Sequence, residues 1–249
     1  MHKILVLWAT PRSTSTAFEW MMRTRGDMNC FHEPFGEPWY QGESPGWPRI
    51  KPESPRKSGL TFESVWQQLC EAASKGPVFC KDFPHYVEHM WTDEFLDHFN
   101  HSFLIRDPAK VATSMFKHWP DFVLKEIAFI EQRQLFDRLA DKLGEVPPVI
   151  DSDDLLENPS GIVEAYCHSV GIPFLPQALN WEPGNREQVS WYDGGSWHGN
   201  LQESDGLKQQ PRTHIDISEA PDRVKEICEI CLPHYRHMYR NRLFPTSVT

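Results

Sequence analysis

A turn of small hydroxyl-bearing residues with one cation follows the apolar run at residues 4–10. The turn consists of Pro11, Arg12, Ser13, Thr14, Ser15 and Thr16. The apolar run is typical of a strand buried on both faces, and residues 17–23 favour a helix. A strand–turn–helix unit directs backbone N–H groups and the positive end of a helix dipole at an anion, and an arginine adds a forked donor. The same residues also fit an ordinary N-capped helix after a core strand.

Two patterns that the sequence lacks narrow the chemistry of this turn. No glycine or lysine lies between Ile4 and Arg25, whereas the triphosphate-binding loop G-x-x-x-x-G-K-[ST] requires both. The dinucleotide fingerprint G-x-G-x-x-G is also missing. The turn therefore fits a simple anion better than a triphosphate with its metal ion.

Ionisable side chains follow three further segments that favour strands. His32 and Glu33 follow one of them, Lys81 and Asp82 the next, and Arg106 the third. Open α/β sheets place their ligands beyond the carboxyl ends of strands, so this placement favours functional roles for these side chains. A solvated loop carboxylate and an arginine paired with a nearby carboxylate are the alternatives.

A helix start directly follows Arg106. Asp107 is a natural N-cap, Pro108 suits the first helical position, and residues 109–118 favour a helix that carries Ser114 on its second turn. An arginine at a strand end that faces a helix start predicts a second anion site.

The alternation of apolar runs and amphipathic segments predicts one doubly wound α/β domain, residues 1–249, with a mainly parallel sheet of about four to five strands flanked by helices. The predicted strands are residues 4–9, 28–31, 77–80, 101–105 and 146–150. The predicted helices are residues 17–23, 61–75, 92–99, 109–118, 122–143, 162–170 and 218–239.

Composition limits the class of protein. The chain of 249 residues is 39% hydrophobic, which excludes wholesale disorder, and its formal charge of −10 argues against broad binding to nucleic acids or polyanionic glycans. We find no signal peptide core and no stretch of membrane-spanning length, and the six scattered cysteines fit a reducing compartment. We therefore expect a soluble, cytoplasmic protein that does not bind membranes.

Two segments rich in proline, glycine and aromatic residues interrupt the alternation, residues 34–59 and 180–210. Their composition predicts long surface loops without a regular element. The aromatic side chains either pack on the domain or cover a ligand, and we expect them to form a lid over a ligand. The last helix carries Cys228, Cys231, His234 and His237 at intervals of three residues. Side chains at this spacing spread around a helix, so we expect no metal site there.

Three patterns together resemble the sulfotransferases that use 3′-phosphoadenosine 5′-phosphosulfate (PAPS). The family signature P-[KR]-S-G-T-[ST] is similar to residues 11–16, and R-[DN]-P-x-x-V-x-x-S is matched by residues 106–114. A third pattern, Y-E-D-L followed later by G-[IL]-P-F, is similar to residues 152–155 and 171–174. The resemblance implies a P-loop-type sulfotransferase fold and PAPS as co-substrate, without a metal ion.

The resemblance also implies roles for individual residues. The loop at residues 11–16 would grip the 5′-phosphosulfate, while Arg106 and Ser114 would bind the 3′-phosphate. Glu33 looks like the catalytic base of some branches of the family, with His32 and Asp82 as the other candidates, because Phe83 stands near the place of the histidine base of other branches. Lys81 would stabilise the sulfuryl oxygens.

The sequence departs from the family pattern at two further positions. The usual loop glycine is Thr14, which predicts a slightly different turn, and the usual tyrosine before the acidic pair is Ser152, which removes a contact to the nucleotide. The acceptor is expected to be a small molecule with a hydroxyl or amine, which the aromatic segments would enclose. A non-catalytic nucleotide-binding protein, a small-molecule kinase on a related fold and a plain interaction domain are the alternatives, and the oligomeric state stays open.

Overall fold

The computed structural model describes residues 2–184, 189, 202–208 and 216–245. Its centre is a five-stranded sheet in the order β2-β3-β1-β4-β5, in which every neighbouring pair is parallel. The strands are β1 (Ile4–Ala9), β2 (Asn29–His32), β3 (Val78–Asp82), β4 (Phe99–Ile105) and β5 (Val149–Asp151). All residues of β1 are buried, because helices cover both faces of the sheet. The doubly wound α/β fold is confirmed.

Helices connect the strands and pack their apolar stripes on the sheet. They are α1 (Ser15–Thr24), α2 (Gly36–Gln41), α3 (Phe62–Lys75), α4 (Asp93–Asp97), α5 (Pro108–His118), α6 (Leu124–Ile127), α7 (Phe129–Leu143), α8 (Ser152–Glu157), α9 (Pro159–Val170) and α10 (Asp222–Tyr239). The start of α5 is as expected, since Asp107 accepts from the backbone N–H of Ala109 at 2.8 Å and Pro108 is the first helical residue. None of the described helices is both long and apolar enough to cross a membrane.

The single long helix expected over residues 122–143 is wrong. The chain instead forms α6 and α7, which are separated by Ala128 in the left-handed conformation with a φ of 63°. The carboxylate of Glu126 accepts from the indole of Trp47 and the guanidinium of Arg49, both more than 70 residues away in the chain. These distant contacts hold α6 as a separate turn.

The expectation that residues 34–59 contain no regular element is also wrong. Residues 36–41 form the short helix α2, and Trp39 on this helix is only 5% exposed. Helix α2 forms because Asp82 at the end of β3 accepts from the backbone N–H of Phe35 at 2.9 Å, and this bond fixes the residue before the helix.

Smaller corrections apply towards the end of the chain. The last helix begins at Asp222 rather than at residue 218, after a 3₁₀ turn that Asp216 caps. Strand β5 begins three residues later than expected, and the acidic run after it starts α8, with Asp151 as the N-cap. Within the segment 180–210, Trp191, Tyr192 and Trp197 lie outside the described residues.

Candidate functional site

The sequence-predicted site residues lie together at the carboxyl edge of the sheet. Parallel pairing places Lys81 of β3 level with Leu7 of β1 and with His32 of β2. The turn after β1 and Arg106 directly after β4 therefore lie at the same edge. The topology alone gathers side chains that are far apart in the chain.

The turn at residues 11–16 has an unusual backbone. Arg12 and Thr14 adopt positive φ angles of 59° and 73°, a region that residues with a side chain seldom enter. Thr14 is the residue before α1, yet its side chain makes no capping hydrogen bond to that helix. Ser13 and Ser15 are buried, and the hydroxyl of Ser13 donates to the carbonyl of Thr10 at 2.6 Å. The backbone thus adopts a glycine-like turn without glycine and leaves the helix start without a side-chain cap.

The two basic motifs are in direct contact. The Nε of Arg12 donates to the Oγ of Ser114 on α5 at 3.0 Å. The Nη1 of Arg106 donates to the backbone carbonyl of Arg12 at 2.7 Å. Arg106 is 3% exposed and is held inside the protein, whereas Arg12 is half-buried. These bonds bring both predicted anion sites into one basic cluster, formed by Arg12, Arg106 and Ser114.

The two departures from the family pattern contact each other. The hydroxyls of Thr14 and Ser152 form a hydrogen bond of 2.8 Å, although the residues are 138 positions apart. Ser152 is fully buried at the start of α8. The bond connects the turn after β1 to the end of β5. A tyrosine at position 152 would carry its hydroxyl at the far end of a ring and could not form the same bond.

An acidic and a basic side chain form a buried ion pair at the same edge of the sheet. Glu33 forms an ion pair and hydrogen bond with the ammonium of Lys81, and the two side chains are 8% and 0% exposed. Glu33 also has a positive φ of 40°, and such strain is often found at functional positions. The Nε2 of His32 lies 3.8 Å from the Glu33 carboxylate. The structure therefore brings Glu33, His32 and Lys81 together.

Glu19 on α1 completes this buried network, and the sequence reasoning missed it. Its carboxylate contacts the Nδ1 of His32 at 2.6 Å and the Nε of Arg23 at 2.8 Å. Burial alone would raise the pKa of Glu19, but attraction and hydrogen bonding from His32, with help from Lys81, hold this pKa below its usual value. The available signal was the position, because Glu19 lies on the buried stripe of α1, where a carboxylate needs a partner.

Asp82 has a different environment from Glu33. Its two oxygens accept from the backbone N–H groups of Phe35 and Phe83, each at 2.9 Å. Burial raises the pKa of Asp82 well above its usual value, although the bond from Phe35 opposes this shift. Both oxygens thus hold backbone in place around the site.

A covering loop, residues 42–60, lies over α2. Gly46 packs so closely on Trp39 that a Cβ atom there would lie 2.2 Å from the indole ring. Arg49 is held between the rings of Trp47 and Trp119, at 5.3 and 4.2 Å from the ring centroids, and forms a bidentate pair with Glu126. The loop is therefore fastened to α6, and no short-range pattern in the sequence pointed to Arg49 or Glu126.

Within the described part of the chain, no group of three or more His, Cys, Asp or Glu side chains is placed to hold a metal ion. The fold and the site define a class: an α/β chain with a parallel sheet whose carboxyl edge carries a basic cluster and a buried network of Glu33, Lys81, His32 and Glu19. A family model described as Sulfotransferase domain matches residues 2–241. The chain belongs to this sulfotransferase family, and the resemblance drawn from the motifs is confirmed.

Comparison with individual proteins gives more distant matches. Branched-chain-amino-acid aminotransferase-like proteins 2 and 1 of Arabidopsis thaliana are each 26% identical to this chain, over 99% of its length and 45% of their own. The chain thus spans less than half the length of these curated relatives.

Among solved structures, the Sulfotransferase Domain from the Curacin Biosynthetic Pathway matches with 13% identity and a TM-score of 0.47, over 92% of this chain and 97% of that one. Mouse sulfotransferase SULT7A1 complexed with PAP matches with 11% identity and a TM-score of 0.42, over 71% and 60%.

Proposed function

We propose that this chain transfers a sulfuryl group from PAPS to a hydroxyl or amine of a small-molecule acceptor. The family membership supports sulfuryl transfer in general. The observation that carries the specific proposal is the basic cluster at the edge of the sheet, in which Arg12 donates to Ser114 and Arg106 donates to the backbone carbonyl of Arg12. Guanidinium groups suit the oxygens of phosphate and sulfate, and a doubly phosphorylated adenosine offers anions at two positions.

The donor would be held by residues of two loops. Arg106 and Ser114 would bind the 3′-phosphate, and Arg12 would turn from Ser114 to the anion when the nucleotide enters. The backbone N–H groups of residues 13–16 and the uncapped start of α1 would surround the 5′-phosphosulfate. These donors would stabilise the bridging oxygen as it gains charge, so the chain itself supplies the stabilisation for the leaving phosphate.

The acceptor would be activated by Glu33. As the acceptor oxygen or nitrogen forms its bond to sulfur, its proton passes to the Glu33 carboxylate, the bond from sulfur to the bridging oxygen breaks, and the 5′-phosphate keeps the electron pair. Glu33 is preferred to Asp82, because both oxygens of Asp82 accept from backbone N–H groups. His32 is the next candidate, since Glu19 orients its ring through Nδ1 and its Nε2 lies 3.8 Å from the Glu33 carboxylate.

Lys81 would have two successive partners. Before the reaction its ammonium forms the ion pair with the Glu33 side chain. As charge develops on the sulfuryl group, the ammonium would donate to the sulfuryl oxygens while it stays near Glu33. The buried carboxylate of Glu19 then keeps His32 beside Glu33 while the charges shift.

A labelled transfer assay with a binding control tests the proposal. We expect wild-type protein to be stabilised against heat by 3′-phosphoadenosine 5′-phosphate (PAP) more than by AMP or ATP, with or without magnesium, and to release PAP from PAPS when an acceptor is present. Arg138→Ala is the matched control, because this arginine lies exposed on α7 and pairs with Asp93. Stabilisation by ATP with magnesium, and none by PAP, would support the kinase alternative instead.

A further inference from the structure

Three buried nitrogen atoms without a hydrogen-bond partner belong to two side chains that contact each other. They are Nδ1 and Nε2 of His85 and Nε1 of Trp39, and none of them meets a partner among the described residues. The two side chains are 1% and 5% exposed, and their rings contact edge-on with centroids 5.4 Å apart. Buried polar groups without partners are rare in folded proteins, because burial removes their bonds to water.

His101 gives a comparison within the same chain. It is also buried, at 6% exposed, yet Nδ1 lies 3.0 Å from the indole nitrogen of Trp8 and Nε2 lies 3.0 Å from the carbonyl of Leu96. The fold can therefore satisfy a buried histidine completely. His85 lacks such partners, which indicates that its nitrogens are kept for a molecule that is not part of the chain.

The position of His85 and Trp39 points to the acceptor. The ammonium of Lys81 lies 5.2 Å from the centroid of the Phe83 ring, and this ring stacks against His85 at 6.0 Å. Trp39 lies on α2, whose first residue, Gly36, donates its backbone N–H to the carbonyl of Glu33. His85 is thus connected to Lys81 through Phe83, and Trp39 lies on the helix that bonds to the backbone of Glu33, on elements that the basic cluster does not use.

The hydrogen-bonding groups of His85 and Trp39 restrict the kind of ligand that can bind them. Burial, with the nearby cation of Lys125, lowers the pKa of His85 to about 3, so its imidazole is neutral at physiological pH. A neutral imidazole offers one N–H donor and one acceptor, and the indole of Trp39 adds a second donor. A hydroxyl group, which both accepts and donates, complements this set. A quaternary ammonium does not, and the Trp47 ring nearby already contacts the cation of Arg49.

We infer that Trp39 and His85 form an acceptor-binding subsite that holds a second hydroxyl of an uncharged diol while the first hydroxyl is sulfated. This inference rests on the proposed sulfuryl transfer, and it names the acceptor class as neutral molecules with two hydroxyl groups on a short aliphatic or aromatic skeleton. His85 and Trp39 are specificity-determining residues here and take no proton in the reaction.

The test compares diols with mono-ols of the same skeleton. Wild-type protein is assayed with labelled PAPS against catechol and phenol, and against the butanediols and 1-butanol. We expect kcat/KM to be at least tenfold higher for the preferred diol than for its mono-ol. His85→Phe removes this preference by raising KM, whereas affinity for PAP stays within twofold of the wild-type value. His89→Phe is the control, because His89 lies exposed on a neighbouring turn, contacts Phe62 and stands outside the proposed subsite.

The variants also separate a binding role from a structural one. If His85→Phe does not fold, Trp39→Phe and His85→Gln take its place, and His85→Gln should restore part of the diol preference. An unchanged diol preference in a folded His85→Phe protein would overturn the inference, as would wild-type protein that turns over only charged acceptors or treats diols and mono-ols alike. Failure of the proposed function has a different signature, namely that wild-type protein does not bind PAP at all.

Discussion

Replacement of Thr14 tests whether the turn after β1 is held by a specific bond to Ser152. Thr14 has a φ of 73°, and the left-handed conformation costs a residue with a side chain roughly 1–2 kcal/mol. Thr14→Gly removes this cost, but it loses a hydrogen bond worth about 1 kcal/mol and adds about 0.5–1 kcal/mol of chain entropy in the unfolded state. These contributions nearly cancel, so we expect Thr14→Gly to change the free energy of unfolding by less than about 1 kcal/mol.

The hydrogen bond is isolated by a double-mutant cycle. In a Ser152→Ala background the bond is already absent, and Thr14→Gly should then stabilise the protein by roughly 0.5–1 kcal/mol. Thr14→Val keeps the backbone strain and loses the bond, so it should destabilise by about 1–2 kcal/mol. Ala128→Gly is the control, since Ala128 also has a positive φ, of 63°, but lies between α6 and α7.

The assay is urea unfolding of the four cycle members, with PAP affinity measured on each. A coupling energy of about 0.5–1.5 kcal/mol between positions 14 and 152 is expected from one hydrogen bond. A coupling energy of zero, or a loss of stability in Thr14→Gly as large as in Thr14→Val, would refute the reasoning.

Three further substitutions probe the acidic network and the covering loop. Glu33→Gln should keep PAP affinity and lower kcat by about 10²-fold or more, because the acceptor then lacks its base. The folded pKa of Glu19 is lowered, so its contribution to stability is present above the unfolded value of 4.5 and is lost as the pH falls through the folded pKa. Urea unfolding between pH 7 and pH 3 should therefore show a smaller loss of stability in Glu19→Gln than in wild type. Gly46→Ala places a Cβ against the Trp39 ring, and we expect a KM for the acceptor about tenfold higher or more, with unchanged PAP affinity.

Each of these three predictions has an outcome that would contradict it. Glu33→Gln with full activity would transfer the role of the base to His32 or Asp82. Equal acid sensitivity of wild type and Glu19→Gln would mean that the His32 contact does not stabilise the carboxylate. Gly76→Ala is the control for the loop, because an added Cβ there meets no atom within 4 Å. An acceptor KM unaltered by Gly46→Ala would separate the covering loop from acceptor binding.

Local signals were enough for the fold and for the basic cluster. Residues 4–9 are apolar throughout and are flanked by a turn and a helix, a pattern that few structures besides a central parallel strand satisfy. Asp107 and Pro108 mark a helix start by short-range chemistry, and the structure places both as expected. Once the sheet is parallel, topology brings Arg12 and Arg106 to the same edge without further information.

The parts that sequence reasoning missed depend on contacts between distant residues. Residues 122–143 have good helical periodicity, but the chain breaks at Ala128 while Glu126 binds Trp47 and Arg49. Helix α2 starts where Asp82 bonds to Phe35, 47 positions earlier in the chain. Such side-chain bonds override local propensity, and a single sequence carries no pattern that predicts them. Glu19 lies between these two cases. Its position on the buried stripe of α1 could be predicted from the sequence, but its partner His32 could not.

The central claim is that Arg12, Arg106 and Ser114 form one cradle for a nucleotide with a 3′-phosphate. Calorimetric titration with PAP and with AMP, for wild type, Arg106→Ala and the control Arg138→Ala, tests it most directly. We predict that wild type and Arg138→Ala prefer PAP over AMP, and that Arg106→Ala binds PAP at least about 30-fold more weakly, equivalent to about 2 kcal/mol, while AMP affinity changes little. Equal affinity of wild type for PAP and AMP, or unchanged PAP affinity in Arg106→Ala, would contradict the claim.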